Sequence, residues 1–172
     1  DTVLDYGCAD AHLFSVLGPV KERVGYDPDP KMIAQISPAL RDVRIYTDRD
    51  KLLNSGSRFS LIICMEVCEH LTPKALTELF RSINSLCLQK ARVVFGVPIE
   101  AGLSGFAKGL YRMAKKQEGA TFTSSVKSLF GIKMDRRTTD LEWYGAHTGF
   151  NDTEFAAELV KHFTVKSTAC LP

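Results

Sequence analysis

The 172 residues are 45% hydrophobic, enough for one well-formed core and consistent with a single domain. The formal charge of +2 carries no strong nucleic-acid signal, because such a footprint is more lopsided. No apolar run approaches the roughly 20 residues that span a bilayer, and no signal peptide is visible, although the chain opens directly on the apolar Thr2-Val3-Leu4.

In chain order, short β-like runs alternate with helical patterns. Thr2 to Tyr6 is a strand candidate, and Ala11 to Leu17 reads as a helix stopped by Gly18-Pro19. Arg23 to Tyr26 is a second strand. Pro30 to Ile36 suits a helix capped by Asp29, with Pro30 at its first position. Val43 to Tyr46 is a third strand. Phe59 to Met65 is a continuous apolar run, as a strand buried on both faces requires. Pro73 to Leu88 is helical, capped by Thr72, with Leu76, Leu79, Phe80, Ile83 and Leu86 at helical spacing. Ala91 to Val97 is a fifth strand. This alternation predicts an α/β fold with a doubly wound, mostly parallel sheet, whose ligands sit beyond the carboxyl ends of the strands.

The segment 100–140 interrupts the alternation. Past Glu100 it holds eight basic residues (Lys108, Arg112, Lys115, Lys116, Lys127, Lys133, Arg136 and Arg137) against three acids (Glu118, Asp135 and Asp140), a local charge of +5. It reads as a lid or substrate insertion after the fifth strand. Within 105–116, Phe106, Leu110 and Met113 are spaced for one helical face, with Lys108, Arg112, Lys115 and Lys116 largely off it. Two readings stay open: a lid helix with a solvated basic side, or a basic amphipathic helix in peripheral contact with an anionic membrane. Beyond the insertion, Asn151 or Asp152 caps a helix through Lys161, and Phe163 to Ser167 alternates like a strand.

The informative residues follow strand ends. Asp5-Tyr6-Gly7-Cys8-Ala9-Asp10-Ala11 is a turn of small residues, which lets a ligand approach the backbone. Asp27 ends the second strand twenty residues after Gly7, where a carboxylate can accept the hydroxyls of a ribose. A dinucleotide turn would carry more glycines. Asp5 and Asp10 would also repel a pyrophosphate but favour a cation, so the local charge argues for S-adenosylmethionine.

Val3 to Ala11 resembles the first motif of class I S-adenosylmethionine-dependent methyltransferases, Val24 to Ile33 their second, and Phe59 to Leu71 their fourth-strand motif. The resemblance implies a Rossmann-like fold, S-adenosyl-L-methionine as cofactor and S-adenosyl-L-homocysteine as product. It implies that Gly7, Cys8 and Ala9 line the methionine part, with Asp5 holding the turn or the ammonium group. Asp27 would bind the ribose, and Pro28 and Met32 would pack near the adenosine. Asp48, or Asp50 nearby, would reach the adenine amino group, with Met65 and Glu66 behind the cofactor. Ala9 and Ala11 replace glycines of the pattern, and Ser60 replaces an aspartate. These departures leave a second reading, a catalytically inactive binding or partner subunit. The family pattern also has a helix before the first strand and a last antiparallel strand, so a longer protein is expected.

No catalytic residue is assigned from sequence; the candidates are His70, His147 and Glu66. His70 follows Glu66 by four, so the two could share a helical face, and a base there is one reading. His147 lies in Trp143 to Phe150, expected to return from the insertion. The cysteines Cys8, Cys64, Cys68, Cys87 and Cys170 follow no zinc spacing, so no metal site is expected. They read as reduced thiols of a cytoplasmic protein, with peripheral membrane association as the alternative. The expected acceptor is small or lipid-linked, with an anionic group to match the +5 segment.

Overall fold

The computed structural model describes residues 1–100, 102–115, 121–130, 132, 144 and 149–169. It divides into two compact units, Asp1–Val97 and Pro98–Pro172.

The first unit is built on five strands: β1 (Thr2–Tyr6), β2 (Glu22–Tyr26), β3 (Arg44–Tyr46), β4 (Phe59–Met65) and β5 (Cys87–Gly96). Every pairing is parallel and the spatial order is β3-β2-β1-β4-β5. The chain runs outward from β1 to β3, then returns to the other side of β1. That reversal between β1 and β4 is the topological switch point, where the carboxyl ends of neighbouring strands leave a crevice.

Side chains alternate along each strand. On one face Val3 and Ile63 pack with Ala11, Phe14, Leu40 and Val43 in a single buried cluster. On the other, α4 (Pro73–Leu86) buries Leu79, Phe80, Ile83 and Leu86, and the Phe80 ring meets Phe95 of β5 edge-on at 5.6 Å. The start of α4 follows its sequence: the Thr72 hydroxyl accepts from the Ala75 amide and Pro73 occupies the first turn. Burial of Ile62, Ile63 and Cys64 in the middle of the sheet explains the apolar run that marked β4.

Several elements differ from the sequence expectation. The first helix is only Leu13–Val16 (α1), because Ala11 stands at φ 60° and cannot begin a right-handed turn. The second stops at Ile33 (α2, Pro30–Ile33), and Pro38–Leu40 forms a separate 3-10 turn capped by Ser37. A short helix, α3 (Arg49–Asn54), appears where none was expected, nucleated by Asp48. The β5 strand is longer than the apolar run. Its register slips, with Phe59 opposite Cys87 but Leu61 opposite Arg92, and Lys90 at φ 66° absorbs the extra residues.

The second unit contains α5 (Gly102–Ala114), α6 (Phe122–Leu129) and α7 (Asp152–Leu159). Of the two caps considered for α7, Asn151 is the one used. Its side chain accepts from the Thr153 and Glu154 amides. Phe163 to Ser167 forms no strand. The alternation supplies two faces, but a strand also needs a neighbour to bond. The α5 and α6 helices approach closely through small residues: a side chain on Gly105 would strike the Glu100 backbone and Ser128, and one on Gly109 would strike Ser125. Arg112 is not the solvated cation that its spacing suggested. It makes a bidentate pair with buried Glu100 at 2.7 and 2.9 Å. No helix of the described residues is long and apolar enough to cross a membrane.

Candidate functional site

The carboxyl ends of β1, β2 and β4 bring three sequence segments together. Beyond β1 the chain turns sharply: the Gly7 and Cys8 amides both donate to the Tyr26 carbonyl of β2, at 2.7 and 3.0 Å. Gly7 sits at φ 91°, and a side chain there would strike a Val67 methyl group. The position therefore demands glycine twice over, for conformation and for space.

Ala9 and Ala11, at the places where the family pattern carries glycine, both adopt the left-handed region, at φ 45° and 60°. The turn keeps the conformation that glycine would supply, at the steric cost of two alanine side chains. Its shape is held from the second strand. One oxygen of Asp27 accepts the Ala9 amide at 2.9 Å and the other accepts the Asp29 amide at 2.9 Å. Asp27 thus does more than end β2: it ties the first loop to the second. Gly25 leaves room for the Cys8 sulfur, which a side chain there would displace. Burial, with the Asp5 and Asp27 carboxylates adding to it, pushes the Cys8 thiol up to about 12, so it stays neutral and packs as an apolar atom.

Asp5 is the electrostatic anomaly. It ends β1 at only 5% exposure, opposite Gly25 of β2 and Ile63 of β4. Burial, and secondarily the Asp27 charge, raise its carboxyl to about 7. A half-ionised buried carboxyl beside a second carboxylate favours a cation and disfavours a phosphate.

A model of a methyltransferase domain matches residues 1–154, most of the chain. The chain belongs to that methyltransferase-domain family. The methyltransferase fold recurs in solved structures, all at low identity. The plantazolicin methyltransferase BpumL, solved with S-adenosylhomocysteine, is 12% identical with a TM-score of 0.59, over 93% of this chain and 54% of that one. PKMT2 from Rickettsia typhi, in complex with AdoHcy, is 15% identical with a TM-score of 0.52, over 95% of this chain and 32% of that one. DhpI, in a complex described as SAM-HEP, is 14% identical with a TM-score of 0.51, over 92% and 69%. The chain spans 41% to 54% of the first three structures it matches. No curated protein sequence matches it.

The remaining residues of the methyltransferase pattern divide. Met65 and Glu66 end β4 on the exposed side, and Met65 lies against Gly96 of β5. Glu66 holds φ 54°, a strained conformation at the tip of the strand beside the switch point. Its amide donates to the Gly96 carbonyl at 2.9 Å. Glu66 and His70 do not share a helical face as their spacing suggested. A left-handed residue cannot sit in a right-handed helix, and only Cys68–His70 turns, as a 3-10 helix. His70 lies beside its neighbour, with Nε2 3.9 Å from an oxygen of the fully buried Glu69. His147 falls outside the described residues.

Pro28 is exposed and Met32 half-buried, on either side of the Asp29 cap of α2. Asp48 caps α3, one oxygen accepting the Asp50 and Lys51 amides at 2.9 and 3.2 Å, while Asp50 is exposed. Ser60, the third departure from the pattern, lies at the opposite end of the sheet. Its hydroxyl accepts from the Thr2 amide at 3.1 Å, and its amide donates to the Thr2 hydroxyl at 3.1 Å. It stitches β1 to β4 and is remote from the crevice. Among the described residues no cluster of His, Cys, Asp or Glu could hold a metal ion.

Two contributors escaped the sequence reading. Val67 fills the space that Gly7 leaves, and the Tyr26 carbonyl closes the first turn. Val67 carries no signal of its own. Gly25, a glycine inside a strand pattern, was a legible sign of close approach.

Proposed function

We propose that this methyltransferase domain binds S-adenosyl-L-methionine at the carboxyl ends of β1, β2 and β4 and releases S-adenosyl-L-homocysteine. The observation that carries this reading is the pair Asp5 and Asp27 around a glycine-initiated turn: two carboxylates, one buried, which would repel a phosphate. A sulfonium cofactor supplies an already activated methyl group. The protein's task is then to bind, orient and exclude water, which is why no catalytic dyad is required.

In this assignment Gly7, Cys8 and Ala9 line the methionine part and Asp5 faces its positive groups. Asp27 takes the ribose hydroxyls with lone pairs left over from its two amide bonds. Met32 and Pro28 flank the adenosine, and Asp48 offers the adenine its second oxygen. Met65 and Glu66 close the site behind the cofactor. The retained turn geometry at Ala9 and Ala11 supports an active enzyme over an inactive binding subunit.

The acceptor that we favour is small or lipid-linked and carries an anionic group, on the strength of the +5 segment. Titration calorimetry with S-adenosylmethionine tests the cofactor assignment. Asp27→Ala is expected to weaken binding by about 1.5–3 kcal/mol, the range for hydrogen bonds to a charged group. Native protein that binds no S-adenosylmethionine would overturn the reading, and unchanged affinity in the variant would displace the ribose site.

A further inference from the structure

The α3 helix follows the end of β3 and carries at its cap Asp48, the acid assigned above to the adenine. With six residues it is too short to hold its own shape and place, so its direction is set by what it packs on. The attached face is small: Arg49, Leu52 and Leu53, at positions i, i+3 and i+4. Asp50, Lys51 and Asn54, on the other side, are exposed. Leu52 is fully buried and Leu53 half-buried, which fixes the later half of the helix.

The first turn has a different anchor. The Arg49 guanidinium crosses to α4 and donates to a Glu78 carboxylate oxygen at 3.1 Å. It also lies near the end of β2. Burial pushes the Tyr26 phenol up, and the Arg49 cation is the strongest influence against that rise. The Tyr26 ring in turn stands 4.7 Å from the ring of Tyr6, which ends β1. Arg49 and Glu78 are 41% and 40% exposed, and a pair so open to water adds little to the stability of the fold. What it fixes is the direction of one short helix.

That direction matters for Asp48. Its carboxylate is exposed, and one oxygen takes both cap bonds, from the Asp50 and Lys51 amides. The carboxylate therefore turns with the first turn of α3. The Asp27 amide donates to the Tyr46 carbonyl at 3.1 Å, which ties the ends of β2 and β3 together just short of Asp48. The ribose acid is thus placed by the sheet itself, while the adenine acid is placed through α3.

We propose that Arg49 is a positioning residue for the cofactor: through its bond to Glu78 it sets the first turn of α3 and so aims Asp48 at the adenine amino group. The assignment rests on the S-adenosylmethionine reading given above. A hydrogen bond from that amino group weakens steeply once its angle is lost. A small rotation of α3 would therefore cost recognition of the amino group and leave the ribose and methionine contacts in place.

The test compares S-adenosylhomocysteine with S-inosylhomocysteine, in which a carbonyl replaces the adenine amino group, by titration calorimetry. The native protein is expected to favour the amino form about tenfold or more, because the deaminated ring turns an acceptor towards the Asp48 carboxylate. In Arg49→Met and in Glu78→Gln the preference should fall to about threefold or less, with the loss confined to the amino form. The two variants change the net charge in opposite senses, so a shared loss reports position and not charge. Arg49→Lys, which keeps the cation without the planar fork, should recover part of the preference. Thermal unfolding should move little in all three. An unchanged preference in both Arg49→Met and Glu78→Gln would overturn the proposal, as would opposite effects of the two or an equal loss for both ligands. Native protein that binds the two ligands equally would remove Asp48 from the adenine, and this proposal with it, while leaving the cofactor reading intact. Native protein that binds neither would overturn the cofactor reading itself.

Discussion

Replacing Asp5 with asparagine should make the empty protein more stable and the cofactor site weaker. The Asp5 carboxyl is raised from 3.8 to about 7, mainly by burial and then by Asp27. The folded state therefore holds the Asp5 proton more tightly than the unfolded chain does. That contribution to stability is fully present below about 4, declines as the pH rises, and is gone above about 7. The span corresponds to about 4 kcal/mol as an upper figure. Asparagine has nearly the same shape and cannot ionise. The variant is expected to gain about 2–4 kcal/mol over the native protein at pH 8 in urea unfolding and almost nothing at pH 4.

Binding should move the other way. A cationic ligand favours ionised Asp5, so native affinity for S-adenosylmethionine rises as the pH passes 7, with release of a proton. In D5N the affinity is lower and its dependence on pH through 7 is lost. A gain of equal size at pH 4 and pH 8 would refute the argument, since it would locate the effect in packing instead of charge. So would the absence of any gain at pH 8.

The turn itself gives two further tests. Ala9→Gly removes a left-handed alanine costing about 1–2 kcal/mol and adds about 0.5–1 kcal/mol of chain entropy, so a net gain of about 0.5–1 kcal/mol in thermal unfolding is expected. Ala11→Gly should be close to neutral, because its fully buried methyl group is worth about 0.8 kcal/mol; a larger gain from Ala11→Gly than from Ala9→Gly would contradict this ordering. Gly7→Ala should cost about 2 kcal/mol or more from its positive φ and the Val67 contact. Adding Val67→Ala should recover only part of that loss, measured by calorimetric melting, since the backbone conformation is still unfavourable.

The fold was legible because its signals are local. Phe59 to Met65 is apolar but for Ser60, and Thr72-Pro73 caps a helix with its stripe in register; both elements appear with little change. The helices that shrank did so for reasons invisible in periodicity. Ala11 is a good helix former whose left-handed conformation is imposed by the turn before it. The slip at Lys90 lengthens β5 beyond its apolar core, because register belongs to pairs of strands.

The candidate site divides along the same line. The sequence by itself determined the residue types at the strand ends: a glycine turn, an acid twenty residues on, and acids where a phosphate binder would avoid them. Those facts follow from chain order and charge, which need no third dimension. Only the tertiary structure decided what the residues do to one another. Burial between Gly25 and Ile63 turns Asp5 from a surface acid into one poised near neutrality. The Ala9 amide makes Asp27 a tie between loops. Val67 forbids a side chain at Gly7, and buried Glu100 takes Arg112 out of the solvated basic side that its spacing suggested. Desolvation, steric exclusion and hydrogen-bond partnership all depend on which groups are neighbours in space, and periodicity along one chain does not contain that information.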